Sequence, residues 1–179
     1  MNSRVWLAPH RWVESASLKQ PVEKAASPAL ADLLGLEDVL IELDVADKEQ
    51  LFAEIGRHME REHGLPQTWL MESLARREEA GSTGIGRGVA IPHARVRNLG
   101  RIQVAYVRLR QGIAFAAPDG RPVSDILVLL VPKQATEDHL AILAEAAQMF
   151  SDPVFREHLH TARDTSEIKR LFDSRSPVS

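Results

Sequence analysis

Ile126-Leu127-Val128-Leu129-Leu130-Val131 is an unbroken apolar run closed by Pro132. A strand covered on one face alternates apolar and polar side chains, so a continuous run rich in β-branched residues marks a strand buried on both faces. Such a strand needs a layer on each side, and its flanks supply helices. After Pro132, Thr136 is expected to cap a helix whose Leu140, Leu143, Ala144, Ala147 and Phe150 form a core face. Asp152-Pro153 starts a short helix, and Asp164 with Glu167 offers a capping box for another. Before the run, Pro118-Asp119-Gly120 marks a turn, Ile102 to Leu109 alternates as a strand, and Val89-Ala90-Ile91 is a brief apolar strand ended by Pro92.

Further upstream, Val39 to Leu43 reads as a strand. Asp47 then opens a helix with Leu51, Ile55 and Met59 on one face, and Gly64 stops it. A second helix starts at Pro66, carries Trp69, Leu70 and Leu74 as its stripe, and ends in Arg76-Arg77-Glu78-Glu79. Strands interspersed with helices predict an α/β single domain, with a mixed sheet of about five strands and helices on both faces.

The 179 residues and 44% hydrophobic share fit one domain with one good core. Residues 1–27 mix Trp6 and Trp12 with charged residues and show no sustained period, so they read as an N-terminal extension. Ser27-Pro28 looks like a helix start before Leu30, Leu33 and Leu34, with Gly35 past the end, and the domain spans 28–179. A net charge of −3 gives no general attraction to nucleic acid or anionic lipid. The absence of cysteine excludes disulfides and thiolate chemistry and fits a reducing compartment. No apolar run approaches the roughly 20 residues of a membrane span, and Pro9, His10 and Arg11 cut off the apolar stretch Val5 to Ala8, unlike a secretory signal. The expectation is a cytoplasmic protein without membrane insertion.

Gly81-Ser82-Thr83-Gly84-Ile85-Gly86-Arg87-Gly88 holds four glycines in addition to Ser82 and Thr83, a composition suited to a loop with exposed amides. It lacks the lysine of a nucleotide P-loop and leads into a strand rather than a helix, which excludes both nucleotide fingerprints. Of the seven histidines, His10, His58, His63, His158 and His160 lie among charged residues and read as solvated surface groups. His93 and His139 differ. Each follows an apolar strand, and if those strands are parallel both reach the same sheet edge, where open α/β folds bind ligands. Loop amides, a helix N-terminus and Arg77 would supply positive potential there without a metal. His93 is the candidate nucleophile, because a largely neutral imidazole keeps one lone pair free to attack phosphorus while a backbone carbonyl near Pro92 holds its other nitrogen. His139, expected at the third position of its helix, feels the positive end of the dipole, which favours its neutral form.

Arg77-Glu78, then Gly81-Ser82-Thr83-Gly84-Ile85-Gly86, then Val89-Ala90-Ile91-Pro92-His93-Ala94 resembles the fructose/mannitol-type IIA family of the phosphoenolpyruvate-dependent sugar phosphotransferase system, most closely its nitrogen-regulatory branch. The likeness runs from about Leu30 to Phe172. It implies a phosphocarrier, a transferase component without cofactor or metal, phosphorylated on Nε2 of His93 by the histidine of HPr or its nitrogen-branch counterpart. It further implies that His139 and Arg77 complete the site and that Ser82 and Thr83 contribute phosphate donors. The phosphate would then pass to a IIB domain or act as a signal to regulatory target proteins. Ala94 stands where glycine is commoner, and residues before 28 have no counterpart.

Two other classes stay in view. A histidine-metal hydrolase would use His93 and His139, but no His-x-x-x-His spacing supports it and Asp138 is the only nearby carboxylate. A binding regulator without phosphorylation would work by contact alone.

Overall fold

The computed structural model describes residues 28–134 and 138–175. The extension 1–27, Ser27 as a helix cap and Thr136 as a helix cap lie outside them. The chain begins with α1 (Leu30–Leu33) and β1 (Leu34–Leu43), followed by the helices α2 (Lys48–His63) and α3 (Gln67–Glu79). Three short strands come next, β2 (Gly84–Gly86), β3 (Val89–Ala90) and β4 (His93–Val96), then the long β5 (Gln103–Ile113) and β6 (Val123–Pro132). The helices α4 (Asp138–Ser151), α5 (Pro153–Thr161) and α6 (Thr165–Asp173) close the fold.

The strands form a six-stranded mixed sheet in the order β1-β5-β6-β3-β2, with β4 also paired to β6. β5 runs antiparallel to β6, whereas β3 and β4 run parallel to it. β6 is therefore central, as its apolar run requires, and Ile126 to Val131 are all 2% exposed or less. Its side chains divide between two layers. Leu127, Leu129 and Val131 enter the core with Leu30, Phe150, Phe155 and Phe172 from α1, α4, α5 and α6. Ile126, Val128 and Leu130 enter the core with Leu51, Ile55, Leu70 and Leu74 from α2 and α3.

α2 begins and ends as its sequence predicts. The Asp47 side chain accepts from Gln50 N, and Gly64 closes the helix in the left-handed conformation at φ 66°. The glycine-rich segment is a hairpin rather than a loop. Arg87 (φ 57°) and Gly88 (φ 79°) form the tight turn between β2 and β3 with both central residues left-handed, the geometry that matches strand twist. This hairpin and β4 bring the sheet to one strand more than expected.

Three expectations are corrected. Gly35 does not stop a helix: Leu34 already pairs with Val104, so α1 is a single turn and Gly35 lies inside β1. The core face of α4 is Ile142, Ala146, Met149 and Phe150, rotated from the expected one, and Leu140 is 59% exposed. α4 is apolar nearly all round, so two faces satisfy the helical period and only the sheet selects between them. His58 and His63 are not solvated. Both donate through Nε2 to Asp38 of β1 at 2.8 Å, tying the end of α2 to the sheet, and His58 is 4% exposed. Burial alone would push the Asp38 carboxyl up, but these two imidazole bonds outweigh it and hold it below its usual value.

Candidate functional site

The site starts where the sheet is interrupted. β3 ends at Ala90, Ile91-Pro92 leave the regular pairing, and β4 resumes at His93 opposite Leu129. Proline has no N–H to give a ladder, which explains the break. The interruption is held from both sides. Ile91 N donates to Thr83 O at 3.0 Å, and Leu129 N donates to Pro92 O at 3.0 Å. His93 is thus the first residue of a strand, half-buried and fixed in its backbone.

Both ring nitrogens of His93 are engaged. Nδ1 lies 3.0 Å from Ile91 O, and Nε2 lies 2.9 Å from Nε of Arg77 in the last turn of α3. A guanidinium can only donate, so Nε2 accepts and the ring proton sits on Nδ1, donated to the Ile91 carbonyl. Burial lowers the His93 pKa below its ordinary value. The Ile91 bond opposes this, the Arg77 and His139 charges add to it, and Glu78 opposes it. The lone pair on Nε2 is therefore present at neutral pH. Arg77 is anchored as well, through Nη1 to Gly81 O at 2.9 Å.

His139, the second residue of α4, joins His93, Arg77, Arg76 and Arg95 around a cleft of about 410 Å³. It is 9% exposed, and its Nδ1 is buried with no hydrogen-bond partner among the described residues. The cleft combines a nucleophilic nitrogen, a second imidazole, three guanidiniums and the N-terminal turn of α4. That arrangement suits a dianionic tetrahedral group, since helix N-termini and planar guanidiniums both favour phosphate oxygens. Among the described residues no three His, Asp or Glu are grouped to hold a metal ion.

His93, His139 and Arg77 are brought together, whereas Ser82 and Thr83 do not line the cleft. Ser82 Oγ donates to Phe115 O at 2.6 Å, and Thr83 donates from N and Oγ1 to Glu78 Oε2 at 2.9 and 2.6 Å. Both hydroxyl protons serve the hairpin itself. Sequence reasoning missed Arg95, which is two residues beyond His93 on the same strand and so points to the same side. It would have been found had His93 been read as opening a strand. Leu140 was missed as a cleft residue because it was assigned to the core. Glu78 carried no signal beyond its place beside Arg77.

Residues 32–175 match the family model described as "Phosphoenolpyruvate-dependent sugar phosphotransferase system, EIIA 2". The chain is 34% identical over 139 residues to a nitrogen regulatory protein of Bradyrhizobium diazoefficiens, covering 78% of this chain and 91% of that one. It is 36% identical over 135 residues to a nitrogen regulatory protein of Pseudomonas aeruginosa, covering 74% and 86%. The crystal structure of the nitrogen regulatory protein IIA-Ntr from Neisseria meningitidis superposes with a TM-score of 0.76 at 40% identity, covering 79% of this chain and 97% of that one. No described helix is long and apolar enough to cross a membrane.

Proposed function

Because this chain belongs to the EIIA 2 family of the phosphoenolpyruvate-dependent sugar phosphotransferase system, we propose that His93 is its phosphoryl acceptor and that the protein carries the phosphoryl group mainly as a regulatory signal. The observation that supports this most is the state of the imidazole: Nδ1–H given to Ile91 O, and the Nε2 lone pair facing the arginine-lined cleft.

The transfer balances without a proton leaving the site. The Nε2 lone pair attacks the phosphorus of a phosphohistidine donor, a bond forms between Nε2 and phosphorus, and the donor's P–N bond breaks with its electron pair returning to the donor imidazole. The Nδ1 proton stays in place, and the Ile91 carbonyl accepts from the more positive ring that results. In the resting arrangement Arg77 Nε occupies the lone pair, so the guanidinium turns from Nε2 to the incoming phosphoryl oxygens while Nη1 remains on Gly81 O. His139 donates a further hydrogen bond from the helix start. Ser82 and Thr83 act by holding the hairpin, not as direct phosphate donors.

The donor is HPr or its nitrogen-branch counterpart, and the setting is the cytoplasm. Exposed Leu140 and part-buried Leu143 border the cleft and give such a donor an apolar contact beside the reacting atoms. The regulatory emphasis is supported by the relatives named nitrogen regulatory proteins. Phosphorylation adds about −1.5 to −2 charges to a face rich in arginine, enough to change which protein docks there. Phosphorylating the protein and its His93→Ala variant through the general phosphotransferase enzymes, then capturing target proteins with each form, tests the reading. Capture that differs between the phosphorylated and unmodified forms supports it. Identical capture, with phosphate passed efficiently to a IIB domain, would replace regulation by transport.

A further inference from the structure

We propose that Glu78 is the positioning residue of this site, acting through Thr83 on the Ile91 carbonyl that selects the tautomer of His93. The inference rests on His93 as the acceptor, and it concerns how that imidazole is kept ready. Glu78 is 7% exposed, an unusual place for a carboxylate unless its oxygens are satisfied. Both are. Oε1 accepts from Lys48 Nζ at 3.1 Å, and Oε2 accepts from both Thr83 N and Thr83 Oγ1. Lys48 lies over the Phe115 ring at 5.1 Å, which keeps its head against the carboxylate.

The path from Glu78 to the imidazole is continuous. Thr83, gripped by Glu78 at its N–H and hydroxyl, uses its carbonyl to accept from Ile91 N, and the Ile91 carbonyl in turn accepts from His93 Nδ1. Glu78 follows Arg77 directly, and Arg77 holds the opposite ring nitrogen. One turn of α3 thus governs both sides of the ring: Arg77 at Nε2, and Glu78 at Nδ1 through the hairpin. If Thr83 is freed, nothing else described holds Ile91 N, and the Ile91 carbonyl loses its fixed aim. The Arg77 bond is then left alone to hold the Nδ1–H form, and His93 gains access to the Nε2–H tautomer, whose lone pair lies on Nδ1, away from the cleft, with none on Nε2 to attack phosphorus.

The test uses the full-length chain, labelled with nitrogen-15, as wild type, Glu78→Ala, Thr83→Val, Glu78→Gln and, as a control, Glu79→Gln at the exposed neighbouring carboxylate. The first readout is the two-bond proton–nitrogen spectrum of the His93 ring above its titration range, which separates the two tautomers. The second is the initial rate of phosphoryl transfer from phosphorylated HPr, divided into kcat and KM. Wild type and Glu79→Gln should show Nδ1–H alone. Glu78→Ala should show a tautomer mixture and a kcat lower by about tenfold to a hundredfold, the scale of a small misplacement of a reacting group, with KM nearly unchanged. Thr83→Val, which keeps its N–H, should move both readouts less and in the same direction. In Glu78→Gln one amide oxygen can still accept both Thr83 bonds, so this variant should recover the tautomer and most of the rate.

A single Nδ1–H tautomer in both Glu78→Ala and Thr83→Val would overturn the proposal. So would a Glu78→Gln variant as impaired as Glu78→Ala. If Glu78→Ala fails to fold, Thr83→Val decides by the same two readouts. Should wild type accept no phosphate at His93, the acceptor reading fails, while the tautomer spectra still decide the role of Glu78.

Discussion

Arg77→Ala separates two effects that the site places in opposition. In the resting state Arg77 Nε donates to His93 Nε2 at 2.9 Å and so covers the attacking lone pair. Both bonds are charge-assisted through the guanidinium and fall at about 1.5–3 kcal/mol, with the neutral imidazole at the lower end and the anionic phosphoryl oxygen at the upper end. The difference favours the transition state by about 1–1.5 kcal/mol, or roughly tenfold in rate. The variant should therefore transfer phosphate from phosphorylated HPr about tenfold more slowly under single-turnover conditions. Arg77→Lys should lose nearly as much, because one ammonium cannot hold Gly81 O and a phosphoryl oxygen in the planar fork that Arg77 provides. The Arg77 charge also contributes to lowering the His93 pKa, so the imidazole of Arg77→Ala should titrate higher than in the wild type. An unchanged rate, or a faster one because Nε2 is uncovered, would refute the assignment of Arg77 as the holder of the phosphoryl group.

His139→Ala should slow transfer with the fold intact, since its Nδ1 has no partner among the described residues to lose; circular dichroism and the single-turnover rate check the two halves of this statement. Burial, first among the causes, places the His93 pKa below about 6.5, the ordinary imidazole value, so a nitrogen-15 titration should show its midpoint on the acid side of that value. The sign for stability follows: the unfolded chain takes the proton first as pH falls, so the contribution of His93 is complete above about 6.5 and is lost toward its folded pKa. Phe172→Ala should destabilise the fold by about 3–5 kcal/mol in urea unfolding, because the ring is fully buried against Tyr106, Phe150 and Phe155. Leu140→Glu should leave urea stability nearly unchanged, because this leucine is 59% exposed, and should raise KM for the phosphodonor.

The α/β class, the central strand and the helices on both faces were legible because they follow from local pattern: an unbroken apolar run in β6, caps at Asp47, Asp152 and Asp164, and a left-handed Gly64. That His93, His139 and Arg77 meet at one cleft was legible for a different reason: the two histidines each follow an apolar strand, and the motif resemblance adds Arg77 to the same site. Features decided by tertiary contact were not legible. α4 presents apolar residues on more than one face, and only docking against β6 chooses Ile142, Ala146 and Met149 over Leu140 and Ala144. His58 and His63 sit among charged neighbours in sequence, yet Asp38, from a different element, draws both inward. Ser82 and Thr83 have the composition of a phosphate cradle, but whether their protons face a ligand or the hairpin depends on Phe115 and Glu78. Composition cannot distinguish those two uses.

The central claim is that the Nε2 lone pair of His93 accepts phosphate. Incubating the full-length protein with phosphoenolpyruvate, the general phosphotransferase enzyme and HPr, then recording phosphorus-31 and nitrogen-15 spectra at alkaline pH, tests it directly. One acid-labile phosphate is expected, bonded to Nε2 of His93 with Nδ1–H retained, and none in His93→Ala. Phosphate on Nδ1, on another residue, or undiminished in His93→Ala would contradict it.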